Sequence, residues 1–290
     1  MYNNMEPVGT HGNPLRLRPD DVDNYTLADY GWTPEALKSY MFGVPVVDPA
    51  TGEEMGDAYY QHYIEVAVAK AEKELDIAIL PRFVQGEHHD FHSSDFNSYM
   101  YTHTYKRPIL YVSDFTLEMS GRRIYNYNRE WWRVSTLAGH IEIMPTALMQ
   151  SAVGGLGYDV GVYGMPMHAG LPVTGNQNTY APQMVHVDYV AGLLPRKRAG
   201  VSMEWEVPAD LEQLVLKYAL VEVFQQWGRL IIGAGIAGRT LSIDGISETI
   251  QTTQSAMYTG SSADILLIKE DIAELEKNLR SYFGISFGII

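Results

Sequence analysis

Near the carboxyl end, Ile265, Ile268, Ile272, Leu275, Leu279 and Tyr282 recur at alternating steps of three and four residues. That spacing places them on one stripe of an α-helix and demands a partner along the stripe. Ser261, with Asp264 three residues on, forms a start box in which the hydroxyl caps a free N–H and the carboxylate reaches back. Glu276 and Arg280 are spaced to pair along the outer face. After this helix, residues 284–290 (GISFGII) carry no charged side chain. Leaving Ile285, Phe287, Ile289 and Ile290 in water forfeits roughly 1.5 to 3 kcal/mol for each large side chain, so another chain is expected to cover this tail.

Two further helices precede the terminal one. Over 57–76, Tyr60, Ile64, Ala67, Val68, Ala71 and Leu75 fall on one side, and Gln61, Glu65, Glu72 and Asp76 on the other. Pro81 limits any extension, because it lacks an N–H and its ring clashes with the preceding turn. The other helix opens at Pro208, with Asp210 and Glu212 suited to the positive end of its dipole. Between Leu214 and Phe224 only Lys217 and Glu222 are charged, so this segment must be covered on most sides. It is the expected central helix.

From 107 to 145 the pattern shifts to short runs rich in Tyr, Val, Ile and Trp: ILYVSDFTLEM, RRIYNY, EWWRVSTL and HIEIM, separated by turn signals. They predict an antiparallel meander, and the alternation in 185–192 (VHVDYVAG) predicts one more strand returning to it. Between them, 146–180 is rich in Gly and Pro. Val162, Tyr163 and Met165 favour an extended loop laid on a neighbouring copy. Residues 1–56 read as an arm broken by prolines around a short helix at 34–40. Tyr25, Tyr30, Trp32 and Tyr40 give the arm more aromatic surface than disordered segments carry, which suggests docking onto another subunit.

A formal charge of −14 opposes a nucleic-acid-coating surface, since phosphate binding needs clustered Lys and Arg. The absence of cysteine removes disulfides and thiol chemistry. No apolar run approaches the roughly 20 residues that span a bilayer, and neither an export signal nor a membrane segment is read.

The one familiar motif is GAGIAG at 233–238, a literal G-x-G-x-x-G. A dinucleotide fold needs a strand before it and a helix after it. Here a long helix precedes it and a polar stretch follows, so a loop leaving a helix end is expected and no cofactor is assigned. His88, His89, Asp90, His92 and Asp95 are the dense group of possible metal ligands. Without an HExxH arrangement they read as a polar loop, and no metal is assigned. No nucleophile elbow is present, and no catalytic residue is assigned. Arg196, Lys197 and Arg198 read as a solvated turn or a salt link to another subunit.

Taken together, the early helix, the inserted sheet ending in HVDYVAG, the helix opened by Pro208-Ala-Asp-Leu, the segment LSIDGISETI at 241–250 and the closing helix form a layout. It resembles the head-tail connector (adaptor) proteins of tailed bacteriophages over roughly 57–290. The resemblance implies an α+β fold with a helical bundle core, an inserted antiparallel β-sheet and long extended arms. The expected segments are an arm at 1–56, the first helix and a polar loop at 57–106, the sheet with its Gly-rich loop at 107–191, and C-terminal helices with an apolar tail at 192–290. It further implies a non-enzymatic virion protein at the head-tail interface: a dodecameric ring under the portal that extends the DNA channel without binding DNA specifically. Its partners would be the portal protein, neighbouring copies and the next neck or tail protein. In that family the C-terminal helix and tail engage the portal, which makes Leu279, Tyr282, Phe283, Ile285, Phe287, Ile289 and Ile290 the candidate contacts. The arm and the insertions at 81–106 and 145–183 exceed the compact connector. Another neck or baseplate protein is therefore an alternative, as is a glycan-binding virion module using Trp131 and Trp132; a nucleotide-dependent oxidoreductase ranks last.

Overall fold

The computed structural model describes residues 17–41, 44–48, 50–92, 100–119, 121–127, 132–143, 180–196, 203, 205–232, 238–243, 246–251 and 262–284. The fold is α+β and divides into two units. Among the described residues, one combines those up to Tyr25 with Asp76–Glu206, and the other combines Thr26–Leu75 with those from Val207 to Gly284.

The helical unit is built around the segment whose composition forbids exposure. Helix α1 (Pro34–Tyr40), helix α2 (Asp57–Leu75) and helix α4 (Ser262–Phe283) all pack with helix α3 (Ala209–Ile232), and α2 also touches α4. On α3, Leu211, Leu214, Val215, Leu216, Tyr218, Ala219, Leu220, Val221, Val223 and Phe224 are buried, so its covering comes from its own chain. Pro208 sits just before the first helical residue, and its carbonyl accepts the N–H groups of Leu211 and Glu212 at 3.0 and 3.2 Å. Helix α2 buries the six apolar residues that its spacing selects. Helix α1 starts at the predicted proline, with the Thr33 hydroxyl accepting from the Ala36 N–H at 3.2 Å. Strands β8 (Gly238–Ile243) and β9 (Ile246–Gln251) form an antiparallel hairpin between α3 and α4 in the chain.

The arm expected at 1–56 is not an extended aromatic surface over its described part. Tyr30 and Trp32 are buried, 4% and 1% exposed, with their rings stacked 5.1 Å apart. The Trp32 indole donates to the Glu212 carbonyl at 3.3 Å. Leu37, Met41 and Val46 are buried as well. Aromatic density here serves the chain's own core, because a buried indole with its N–H satisfied is worth more inside than displayed.

The sheet unit holds two antiparallel sheets. The larger has the order β1 (Arg82–His92), β7 (Tyr180–Ala191), β3 (Ile109–Met119), β4 (Arg122–Asn126). The smaller has the order β2 (Met100–His103), β6 (His140–Ile143), β5 (Trp132–Ser135). Their shared core includes Phe115, Leu117, Val185, Val187 and Tyr189 from the first, and Trp132, Val134 and Ile141 from the second. On the opposite face of β7, Val190 joins Leu110 in a second cluster with Leu17 and Val22, against which Tyr25 packs.

This arrangement corrects two expectations. The four runs from 107 to 145 are strands at the expected places, yet they do not form one meander, because β7 enters between β1 and β3 and the β5–β6 pair belongs to another sheet. The polar loop expected at 81–106 contains β1, paired with β7 along its length, and β2. Irregularities at Val84/Glu87 and His89/Phe91 break the period-two alternation that would mark β1 as a strand. Gly86 sits in the first of them with φ +75°.

The polar residues of β1 are satisfied inside. Glu87 is 6% exposed; its Oε2 accepts from the Tyr189 hydroxyl at 2.6 Å and its Oε1 from the Tyr105 N–H at 2.8 Å. The Tyr189 hydroxyl in turn accepts from the Lys106 N–H at 2.9 Å. Burial first, and then the Glu87 carboxylate, push the Tyr189 phenol well above its ordinary value, so it remains a donor.

Where β7 ends, Gly192 has φ +144°, and a Cβ there would lie 2.6 Å from the Pro81 Cα. Its N–H donates to Pro108 and the next N–H to Ile79, both at 2.9 Å. Gly192→Ala should therefore destabilise the protein by more than about 1 kcal/mol, read as a lowered urea midpoint at unchanged slope. Tyr189→Phe should cost about 1 to 3 kcal/mol in the same assay, because Glu87 Oε2 and the Lys106 N–H lose a shared partner.

Candidate functional site

The terminal helix was the strongest candidate surface, and its packing sorts the residues on it. Ile265, Ile272 and Leu279 are buried, and Ile268 and Leu275 are half-buried, so the first five positions of the predicted seam face inward. At the sixth the seam departs from the heptad: Phe283 is 2% exposed and Tyr282 is 44% exposed. A straight α-helix drifts about 20° per heptad from a 3.5-residue repeat, which carries the contact from the expected position to its neighbour. Leu279 and Phe283, both expected at the partner contact, are thus buried inside the helical unit. Tyr282 is presented outward, with its ring edge-on to Phe283 at 5.0 Å. Leu266 and Leu267 are also exposed on this helix. Ile285, Phe287, Ile289 and Ile290 lie outside the described residues.

Polar contacts fix α4 against its neighbours. The Tyr218 hydroxyl donates to Glu276 at 2.5 Å, Lys217 meets Asp271 at 2.7 Å, and Arg280 bridges Glu74 at 2.9 Å and Glu276 at 3.6 Å. The Glu276–Arg280 pair expected from the sequence is therefore present. Burial, then the Glu276 contact, raise the Tyr218 phenol well above its ordinary value, which keeps it protonated as the donor. Lys70 crosses from α2, with its ammonium 4.5 Å from the Tyr218 ring centroid. Ser261 lies outside the described residues, and the start box with it.

Tyr30 and Trp32, expected at a subunit contact, are buried as described above. Tyr25 and Tyr40 are half-buried, while Val162, Tyr163 and Met165 lie outside the described residues. Trp132, a candidate for sugar stacking, is a core residue, 4% exposed and 5.5 Å from the Phe115 ring. Trp131 lies outside the described residues. Of the basic turn, Arg196 is half-buried, and Lys197 and Arg198 are outside the described residues.

The glycine motif has the reverse of a nucleotide-binding context. Helix α3 runs through Ile232, into the approach to the motif, and the last glycine, Gly238, opens β8. Helix leads to strand, and the strand turns back as an antiparallel hairpin instead of entering a parallel βαβ unit.

His88 and His89 turn apart, the His88 ring lying 4.9 Å from that of His186 and the His89 ring 4.7 Å from that of Tyr105. His89 pairs with Glu87 at 2.6 Å, the His88 Nδ1 meets the Gly86 carbonyl at 2.8 Å, and Asp90 accepts the Gln183 N–H at 2.9 Å. Asp95 lies outside the described residues, as does the His92 side chain. A different polar group assembles instead, from Asp114, His186 and Asp188 on β3 and β7. Nothing in the sequence marks Asp114 as its member, because only strand pairing brings it to the other two.

No protein-family model and no curated protein matches the chain. Among solved structures, a chain from the neck of an empty GTA particle, computed with C6 symmetry, is similar over 68% of this chain and 79% of that one, at a TM-score of 0.33 and 16% identity.

The two aromatic residues at the end of α4 make opposite predictions. Phe283→Ala should cost about 3 to 5 kcal/mol of unfolding free energy. Tyr282→Ala should stay within about 0.5 kcal/mol of the parent protein. Chemical denaturation of both variants checks the assignment.

Proposed function

We propose that the chain is a structural protein of a virion neck: a head-to-tail connector that forms a ring beneath the portal, extends the DNA channel and links the head to the next neck or tail protein. The observation that carries this reading is the order and grouping of the elements. Helices α2, α3 and α4 pack together although both sheets, β1 to β7, are inserted between α2 and α3 in the chain, and a short hairpin separates α3 from α4. That is the arrangement the connector resemblance implies.

Charge supports the same reading. A ring built from heterologous contacts needs two complementary faces on each subunit. With a formal charge of −14, a channel lined by carboxylates would give phosphates no adhesive contacts during DNA passage. Tyr282 and residues 284–290 are the proposed portal contacts, since Leu279 and Phe283 are already buried. Arms and loops outside the bundle would supply contacts between neighbouring copies.

Two other classes fare less well. An oxidoreductase would place its nucleotide on a glycine motif between a strand and a helix, whereas here the motif follows a helix and precedes an antiparallel hairpin in the chain. A glycan module would expose Trp132, which is buried.

Removing residues 284–290 should leave a folded subunit that no longer attaches to portal-bearing heads, so that tail-less heads accumulate in complementation. Electron microscopy of the intact protein mixed with its portal should show a ring on the portal's outer face. A monomer that ignores the portal, together with normal tailing by the truncated form, would refute the assignment.

A further inference from the structure

On the face of β7 that carries Val190, three metal-ligating side chains converge from two adjacent strands. Asp114 and Asp188 are direct partners in the β3–β7 register, and Thr116 is the partner of His186. One ligand atom each from Asp114, His186 and Asp188 lies within 4.8 Å of the others. Like charges placed directly opposite on neighbouring strands repel. Glu118 adds another carboxylate, 3.8 Å from the His186 Nδ1, and Arg123 offsets part of the charge by reaching Asp114 at 2.5 Å and Glu118 at 3.9 Å. Two of the three carboxylates share one guanidinium and, among the described residues, Asp188 has none, which leaves a local excess of negative charge.

The orientation of the donors is fixed from outside the group. Thr116, fully buried, meets the His186 Nδ1 at 3.3 Å, which turns Nε2 toward Asp188 Oδ1 at 3.4 Å. The Gly86 N–H, delivered by the irregularity in β1, donates to the same Asp188 oxygen at 2.7 Å. Contacts of this kind hold metal ligands in register. An ion about 2.1 Å from each donor spaces two tetrahedral donors about 3.4 Å apart. The His186–Asp188 separation already equals that edge, and the broad, two-fold carboxylate torsion of Asp114 lets its oxygen close the remaining side.

We propose that Asp114, His186 and Asp188 bind a divalent first-row transition-metal ion of the Zn2+ class. One imidazole nitrogen with two carboxylates suits such an ion better than Ca2+ or Mg2+, which prefer all-oxygen shells. The ion neutralises the facing carboxylates and pins β3 to β7. The site stands independently of any role in a neck.

The test uses the full-length protein freed of metal by a chelator and titrated with Co2+, whose visible absorption reports coordination, followed by displacement with Zn2+. One Co2+ per chain is expected, displaced by Zn2+ and not by a large excess of Mg2+, with a rise in melting temperature on adding Zn2+. His186→Gln and Asp114→Asn should each weaken binding by about tenfold or more, and His140→Gln, on the other sheet, should bind like the parent. Circular dichroism confirms that each variant is folded. Asp114 is a partly exposed residue, so its variant remains informative should the buried His186 variant fail to fold. Absence of a Co2+ band, or unchanged affinity in a folded Asp114→Asn variant, would overturn the site.

Discussion

A helix that carries two charged side chains between Leu214 and Phe224 cannot stand in water, and the helical unit follows from that constraint. Helices α1, α2 and α4 each bury a stripe against α3. Burial of roughly 1.5 to 3 kcal/mol per large side chain makes this the dominant favourable term. The polar contacts at the edge, Lys217 with Asp271 and Arg280 with Glu74, are partly exposed and fix registry more than they add stability. Tyr218 differs from them: its ring lies in the core and its hydroxyl reaches Glu276, so one side chain joins the apolar seam to the polar rim.

In the sheet unit the corresponding position belongs to β7, which has neighbours on both sides and side chains covered on both faces. A strand so placed can keep polar residues only if each finds a partner. Tyr189 finds Glu87, His186 finds Thr116, and Asp188 finds the Gly86 N–H. These pairings explain why β1 can be rich in His, Glu and Asp and still be a strand. Its polarity is the complement of β7, and its bulges set the register in which that complement works.

Different parts of this architecture were legible for different reasons. Helix α2 was readable residue by residue because its buried set, Tyr60 to Leu75, follows the helical period without interruption. Strand β3 was readable because β-branched and aromatic residues fill it between turn signals. Strand β1 was not, since two irregularities shift its alternation and its stabilising partners lie about a hundred residues away. The β8–β9 hairpin has a short-range signal in Asp244-Gly245 between two alternating runs. Trp32 is the opposite case: aromatic content among prolines suggests a surface to be shared, and this residue is buried. The indole instead has a receptor in its own chain, the carbonyl of Glu212, 180 residues away.

By itself the sequence determined the helices and their inward faces, the positions of most strands, the α+β class and the poor context of the glycine motif, because each depends on local periodicity or on residues close along the chain. Only the tertiary structure decided which strands are neighbours, that Phe283 and not Tyr282 continues the terminal seam, and that Asp114 meets His186 and Asp188. Those outcomes depend on strand register and accumulated helical drift, which are set by contacts between distant segments and leave no periodic trace in either segment alone.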